Sequence, residues 1–326
     1  PSSAIAIPAL AGFDITGGTL STGNFTISNR GLIRISSGTA NFGTNSGNSV
    51  ETLVDGVFQV SGTSSVNIAG RLENSAAGTL SPLGLTSGIN ISGGTVTLSK
   101  VGNGLNSVGS LNVTSAGNFN LTGGTIVFQK ESSATTALDL GLTGGTGTKT
   151  TVGGTFQFGN ALTPPNSVFN ISGNIPLNSI ASFPNADLKL LTDVVVGQMA
   201  LNASTSIDLN GNSIRLTTSA PGTFSFPLDN GSGVSIPVSL TFTSGTFAGG
   251  AYIELETIGS KLSENKSNTN YLNRYWTVTT NGITSPVYDI TATYATSDIA
   301  GTETKIAYGS WTGALPWIKG NLVNDA

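Results

Sequence analysis

The stretch LTGGTIVF, at residues 121–128, recurs as ISGGTVTL (91–98), as ITGGTL (15–20) and, shortened, as VGGTFQF (152–158). The copies at 91–98, 121–128 and 152–158 follow one another at intervals of 30 residues, counted at the first glycine of each pair. Similarity at a fixed period of this size is typical of stacked repeats, in which each unit buries its apolar edge against its neighbours. We name this stretch the Gly-Gly-Thr motif.

The glycine pair predicts a corner in the backbone, because glycine enters positive φ without a steric penalty. The threonine that follows favours a strand, so the motif predicts a sharp turn into a strand. The 30-residue period fits one long coil or two short coils, and the sequence leaves both open.

Short runs of alternating apolar and polar residues fill the chain from about residue 10 to 218, for example LIRI (32–35) and VFQV (57–60). Strict alternation is the signal of a strand, and no window shows a convincing helical period, so the region is predicted to be all β. The strands are shorter than in most sheets, which favours a parallel β-solenoid of roughly seven to ten coils. Residues 207–216 are typical of a final coil, although Asn210-Gly211 also fits a type I′ hairpin turn.

The composition indicates a folded chain with an uncharged polar surface. Charged residues are 9 % of the 326 residues, hydrophobic residues are 37 %, and glycine contributes 44 positions. The 13 basic and 17 acidic residues are scattered and give a net charge of −4, so no basic stripe exists to bind nucleic acid. The absence of cysteine and histidine excludes disulfides, thiolate nucleophiles, histidine general bases and the usual zinc sites. No apolar run is long enough to cross a membrane as a helix.

Large aromatic residues mark a second region. All three Trp and all six Tyr lie after residue 250, whereas the first 250 residues use only Phe. The alternating runs are also longer there, and turn residues separate them at 229–231, 249–250, 281–282 and 298–301. This pattern predicts an antiparallel, immunoglobulin-like β-sandwich. The predicted organisation is a terminal extension or cap at 1–12, a β-solenoid stalk at 13–220 and a β-sandwich domain at 221–326.

The second region resembles a known family in a set of short motifs. These motifs are VSLTF (238–242), SGTF (244–247), YLNRYWTV (271–278), GI (282–283), TY (293–294), DI (298–299) before Gly301 and Glu303, and WTG (311–313). They resemble the β-sandwich module of large secreted cell-surface proteins of Bacteroidota, over about the last 105 residues. A solenoid rich in Gly, Thr and Asn is similar to what commonly precedes that module. The resemblance implies export by the type IX route and a secreted or cell-surface location.

The chain departs from the family at its end. Family members usually continue into a further strand and a sorting domain, whereas this chain stops at NLVNDA (321–326). Together with a start at Pro1 instead of Met, this suggests a processed piece of a longer protein, or a sandwich that lacks one strand. An open sheet edge is a template for the addition of another strand.

Acidic residues are spread too thinly to predict an enzyme. A solenoid that cleaves polysaccharide needs clustered carboxylates or a basic residue in a groove. Glu51 and Asp55 are the only close pair in the solenoid, and its carboxylates are expected to be solvated charges at corners. They are Asp14, Glu51, Asp55, Glu73, Glu131, Asp139, Asp187, Asp193 and Asp208. Glu254 and Glu256 are predicted to lie on the same face of one strand. Alternating glutamates more commonly mark a solvent-exposed face than a metal site.

Threonine and tryptophan offer two further candidate surfaces. A threonine ladder can bind ice, but of the motif copies only Thr95-Val96-Thr97 has the required second threonine, so strand propensity is the better explanation. Trp276 lies in an alternating run and is expected to pack in the core. Trp317, next to Pro316, is the candidate for an exposed aromatic contact.

The sequence as a whole predicts a non-enzymatic extracellular protein, either the stalk of a surface adhesin or a filament subunit. It would use no cofactor and no metal, and its partners would be copies of itself or other surface proteins, with glycans as a further option. Chains are expected to join end to end by strand complementation through an apolar segment near the start, which comprises Ala4, Ile5, Ala6, Ile7 and Leu10. The alternatives are a carbohydrate-binding or polysaccharide-degrading β-helix protein and an inert spacer.

Overall fold

Alternation of inward apolar and outward polar residues produces short strands along most of the chain. The structure is a computed structural model that describes residues 4–76, 81, 84–103, 108–132, 138–316 and 318–322, with the backbone alone for 319–322. The strands up to residue 217 are β1 (Ala4–Ile7), β2 (Gly12–Ser21), β3 (Thr26–Asn29), β4 (Leu32–Phe42), β5 (Ser49–Thr52), β6 (Val57–Val60), β7 (Ser65–Ile68), β8 (Arg71–Asn74), β9 (Gly88–Leu98), β10 (Leu111–Val113), β11 (Phe119–Phe128), β12 (Leu140–Leu142), β13 (Lys149–Thr150), β14 (Thr155–Phe158), β15 (Ser167–Gly173), β16 (Leu177–Ser182), β17 (Ala186–Leu190), β18 (Val194–Ala200), β19 (Ile207–Asp208) and β20 (Ile214–Thr217).

The second region has fewer and longer strands. They are β21 (Thr223–Phe226), β22 (Leu228–Asp229), β23 (Val238–Ile258), β24 (Tyr271–Leu272), β25 (Tyr275–Ala292), β26 (Ile299–Ala300), β27 (Ala307–Ser310) and β28 (Ile318–Leu322). Two short 3-10 helices, at Thr296–Asp298 and Glu303–Lys305, are the helical segments of the described chain.

Two long sheets share these strands, and the chain passes from one sheet to the other in turn. The first sheet has the order β1-β3-β5-β8-β10-β12-β15-β17-β19-β22, and each of its pairs is parallel. The second sheet runs β2-β4-β6-β9-β11-β14-β16-β18-β20 in parallel pairs, with β7 and β13 alongside. The prediction of an all-β chain with parallel sheets is confirmed.

Parallel register places like residues above one another, and the inward rows form the core. In the first sheet Ile27, Val50 and Leu72 are in register, and each is at most 1 % exposed. In the second sheet the rings of Phe128 and Phe158 are stacked at 5.0 Å between centroids. Packing of this kind removes apolar surface from water at every step, so each repeat is stabilised by the next.

The Gly-Gly-Thr motif copies at 91–98, 121–128 and 152–158 lie directly above one another, whereas the copy at 15–20 lies on β2 and pairs with β4. Thr95, Thr125 and Thr155 are in register on neighbouring strands, so each 30-residue spacing adds one strand to this part of the sheet and is one repeat. The second glycine of each pair has positive φ, 71° at Gly94 and 77° at Gly124. The expected positive φ is confirmed, but the predicted sharp turn into a strand is not: in β9 and β11 the glycines lie inside one strand, at a register irregularity.

Buried asparagine amides hold several corners, a feature that the sequence patterns did not indicate. The Nδ2 of Asn29 donates to the carbonyl of Val57 at 2.9 Å, and the Nδ2 of Asn74 donates to the carbonyl of Thr52 at 3.0 Å. Asn74 in turn accepts from the backbone N–H of Asn118 at 3.0 Å. Because an unpaired backbone group is costly when buried, these amides stabilise the connections between repeats.

The second region continues the second sheet with a change of direction. Strand β20 pairs antiparallel with β23, which pairs antiparallel with β21 and β25. The first sheet also extends past the predicted final coil, because β22 pairs parallel with β19. Asn210-Gly211 forms a corner and not a hairpin, since β19 and β20 belong to different sheets. The immunoglobulin-like sandwich and the boundary at residue 220 stay predictions.

Two predicted turns of this region are wrong. Gly249-Gly250 lies inside β23 and Asn281-Gly282 lies inside β25, and the register of this antiparallel pair shifts between Phe247 and Tyr252. Gly250 and Gly282 have φ values of 78° and 71°. The glycines therefore allow two long strands to bend together at a bulge, where the sequence alone suggests separate hairpins.

Alanine substitutions at three glycines test the stacked motif. Gly124 has positive φ, and a Cβ added to it would lie 2.7 Å from the backbone of Gly93. Gly18 also has positive φ, but a Cβ there would meet no other atom. Gly17 has neither the positive φ nor a close neighbour. We expect Gly124→Ala to lower the free energy of unfolding by about 3 kcal/mol and Gly18→Ala by about 1 kcal/mol. Gly17→Ala is the matched control and should change it little. Urea unfolding of the three variants measures the order, and equal effects at all three sites would contradict the stacking.

Candidate functional site

The first repeat forms an open end of the stack. Strand β1 pairs with β3 on one side, and no described strand pairs with its other side. Ile5 is in register with Ile27 and points into the same inward row, yet it is 38 % exposed whereas Ile27 is 1 % exposed. The exposure of Ile5 is thus explained by its place at the end of the row, where no strand of the described chain covers it.

The structure divides the segment that the sequence singled out for assembly. Ile7 is 6 % exposed and belongs to the core, so it is a structural residue. Ala4 and Ala6 are exposed beside Ile5 on β1, and Leu10 follows the strand with 77 % of its surface exposed. Ile5 and Leu10 are therefore the apolar side chains of this segment that remain available to a partner.

Strand β25 is a second open edge. It is 18 residues long and pairs with β23 with register shifts along the way, and no described strand lies on its other side. Val287 and Ile290 are 59 % and 47 % exposed, and Tyr288 stacks on the core residue Phe242 at 5.0 Å. Pro286 lacks an N–H and so limits pairing at one point of this edge. The edge offers backbone hydrogen-bonding groups next to exposed apolar side chains.

The sequence assigned different roles to Trp317 and Trp276. Trp317, the candidate exposed contact, lies outside the described residues, so that prediction stays open. Trp276 packs partly buried against the core, as expected. Its indole Nε1 is buried and has no hydrogen-bond partner among the described residues.

The carboxylates of the first region are paired differently from the sequence prediction. Glu51 is in register with Glu73 on the neighbouring strand, and Asp55 instead faces Arg30 at 3.9 Å. The Nε of the buried Arg71 donates to Glu73 at 2.7 Å. Register and not sequence spacing brings Glu51 and Glu73 together, and Arg71 offsets part of their charge.

Asp139 corrects the expectation that these carboxylates are solvated. Its side chain is fully buried and accepts hydrogen bonds from the Ser132 N–H at 2.8 Å, the Ser132 hydroxyl at 3.1 Å and the Asn170 N–H at 2.8 Å. Burial raises the pKa of Asp139 from 3.8 to about 7, the three hydrogen bonds oppose this rise, and the charge of Glu131 adds to it. Burial also raises the pKa of Glu131, against a hydrogen bond from the Val168 N–H.

The strand face that carries Glu254 and Glu256 holds its first carboxylate in protein contacts. Glu254 accepts hydrogen bonds from Arg215 at 2.9 Å and from Ser213 at 2.8 Å, so its carboxylate oxygens are occupied by protein donors. In the part of the chain that the structure describes, no group of three or more acidic residues is arranged to hold a metal ion.

The burial of Asp139 predicts a pH-dependent stability. Because its folded-state pKa lies above the ordinary value, the folded state is favoured when Asp139 is protonated, and that stability is lost as pH rises from about 4 through about 7. Each pKa unit corresponds to about 1.4 kcal/mol, so the loss is at most about 4 kcal/mol.

Asp139→Asn should remove this part of the pH dependence in urea unfolding between pH 4 and 8. Asp187→Asn is the control, because Asp187 accepts from Ser206 in a similar way but is only half-buried. Identical pH profiles for the unsubstituted protein and Asp139→Asn would contradict the assignment.

Within the described residues, no helix is long and apolar enough to cross a membrane. Comparison with protein-family models, with curated proteins and with solved structures found no match to this chain. The proposal for its function therefore rests on its own sequence and geometry.

Proposed function

We propose that the chain is a non-enzymatic extracellular structural or adhesive protein, with residues 13–220 as a β-solenoid stalk. The observation that supports this most directly is the series of parallel pairs from β1 to β22, in which each strand pairs with the strand one repeat later. Ten strands spaced by about 4.8 Å give the sheet a span of about 43 Å. A continuous backbone ladder of this length resists bending and so suits a spacer.

The chemistry of the surface agrees with an extracellular role. The chain has 9 % charged residues and no cysteine, and the outward positions are mostly Ser, Thr, Asn and Gly. Such a surface is soluble without strong ionic attraction to other molecules. The resemblance of residues 238–313 to the sandwich module of secreted Bacteroidota surface proteins supports the same location and the type IX route.

End-to-end assembly is the mechanism that we propose for the stalk. Its support is the pair of open edges: β1 and β2 at one end, with the exposed Ile5, and β25 at the other, with the exposed Val287 and Ile290. An unpaired edge with apolar side chains is a template for a strand of another molecule. Because the two edges differ, contact between them is head to tail and extends into a filament.

Charged substitutions at the two edges test this assembly. We expect Ile5→Lys and Ile290→Lys each to raise the concentration needed for association by about tenfold or more, since a lysine buried against a partner strand loses its hydration. Leu162→Lys is the control, because Leu162 is 65 % exposed but lies on neither edge. Light scattering over a concentration series, with thermal unfolding to show that the variants fold, measures the effect. A chain that stays monomeric, or oligomers that persist in both edge variants, would contradict the proposal.

A carbohydrate-degrading protein is the second candidate, and the carboxylate pair formed by Glu51 and Glu73 is the observation that favours it. A retaining glycosidase uses two carboxylates about 5 Å apart. Against it, Glu51 accepts from Ser49 at 2.9 Å and Glu73 is held by Arg71. Release of reducing sugar from a polysaccharide that is lost in Glu51→Gln would establish this candidate in place of the structural one.

A further inference from the structure

A cleft of about 230 Å³ lies on the outer face of the second sheet. Three consecutive repeats form it, through β6, β9 and β11, and residues 85–86 form one wall. Its floor carries a row of three amides, because Gln59, Asn90 and Asn120 are in register on neighbouring strands. The cleft therefore runs across the strands, in the direction in which the repeats stack.

Some polar side chains on this face bond to one another, whereas most of those in the cleft make no hydrogen bond within the described residues. Outside it, Asn67 donates to Asn41 at 2.9 Å, and Asn41 donates to Ser21 at 3.3 Å. Inside it, five side chains make no hydrogen bond within the described part of the chain. They are Gln59, Asn120, Thr86, Ser92 and Thr122.

Asn90 is the fixed member of the amide row. Its Nδ2 donates to the carbonyl of Thr86 at 3.1 Å and to that of Gly88 at 3.4 Å, so its side chain also ties the cleft wall to the floor. Five unoccupied hydrogen-bonding groups around this fixed amide provide both donors and acceptors, since each amide and hydroxyl can act as either.

The cleft contains no ionisable side chain among the described residues that line it. The next residue of the same row, Arg34, is in register with Gln59, and its charge is paired with Asp14 at 3.2 Å. A charged ligand would lose hydration here without an opposite charge to replace it. Leu85 adds an apolar side chain to the wall. The lining thus suits a ligand that is uncharged and bears many hydroxyl groups next to carbon–hydrogen faces.

We propose that this cleft binds a neutral glycan, with a sugar ring against the amide row and Leu85. The hydroxyls of the ring exchange hydrogen bonds with Gln59, Asn120 and the nearby threonine and serine side chains. The cleft is partly open to solvent, so a longer chain can continue beyond the bound ring. This site is independent of end-to-end assembly, because none of its residues lies on β1, β2 or β25.

An array of polysaccharides printed on glass tests the proposal with the full chain. It carries neutral glucans, mannans, galactans and xylans beside uronate-containing and sulfated polymers. We expect retention on at least one neutral polymer, and a Kd about tenfold weaker for Gln59→Ala and for Asn120→Ala, because each variant removes side-chain hydrogen bonds to the sugar. Thr122→Trp, which fills the cleft and keeps both amides, should abolish binding.

Asn112→Ala is the matched control. Asn112 is also a half-buried outward amide with no hydrogen bond among the described residues, but it lies on the first sheet and away from the cleft. Binding by this variant should equal that of the unsubstituted protein, and light scattering should show the same assembly for all four variants. Absence of binding to every neutral polymer at millimolar sugar, preference for the charged polymers, or binding that is insensitive to Thr122→Trp would overturn the proposal.

Discussion

The parallel backbone ladder is the constraint on which the rest of the molecule depends. It places inward residues above inward residues of the repeat before, so apolar residues such as Ile27, Val50 and Leu72 form continuous rows. A side chain that does not fit its row disturbs the packing of the residues above and below it. The same constraint explains the glycine pairs, because the backbone of Gly124 lies against Gly93 and Gly94 with no space for a Cβ.

The parts of the fold that repeat locally were predictable from the sequence. Alternating apolar residues and the Gly-Gly-Thr motif predicted an all-β chain, the parallel sheets and the need for positive φ at the glycine pairs. The features that the sequence did not predict depend on register between distant residues. Glu51 is in register with Glu73, Asn29 donates to the carbonyl of Val57, and the buried Asp139 accepts from the N–H of Asn170. The residues of each pair are too far apart in sequence for a local pattern to show the contact.

The candidate sites follow the same division. Ile5 could be named from its apolar run, but only the structure shows that it is the exposed last member of an inward row among the described strands, while Ile7 is part of the core. The cleft could not be named at all, since Gln59, Asn90 and Asn120 are unremarkable polar residues until register aligns them. At both sites, polar groups have no partner within the described chain. At the ends these are backbone N–H and C=O groups of the edge strands, and in the cleft they are amide and hydroxyl side chains.

Imaging of the purified protein by electron cryomicroscopy tests the central claim most directly, namely that the first region is a stalk of stacked parallel repeats whose ends join. The account predicts elongated particles with strands perpendicular to the long axis, a repeat of about 4.8 Å along that axis, and particles joined end to end at high concentration. Compact particles, or strands that run along the long axis, would contradict it.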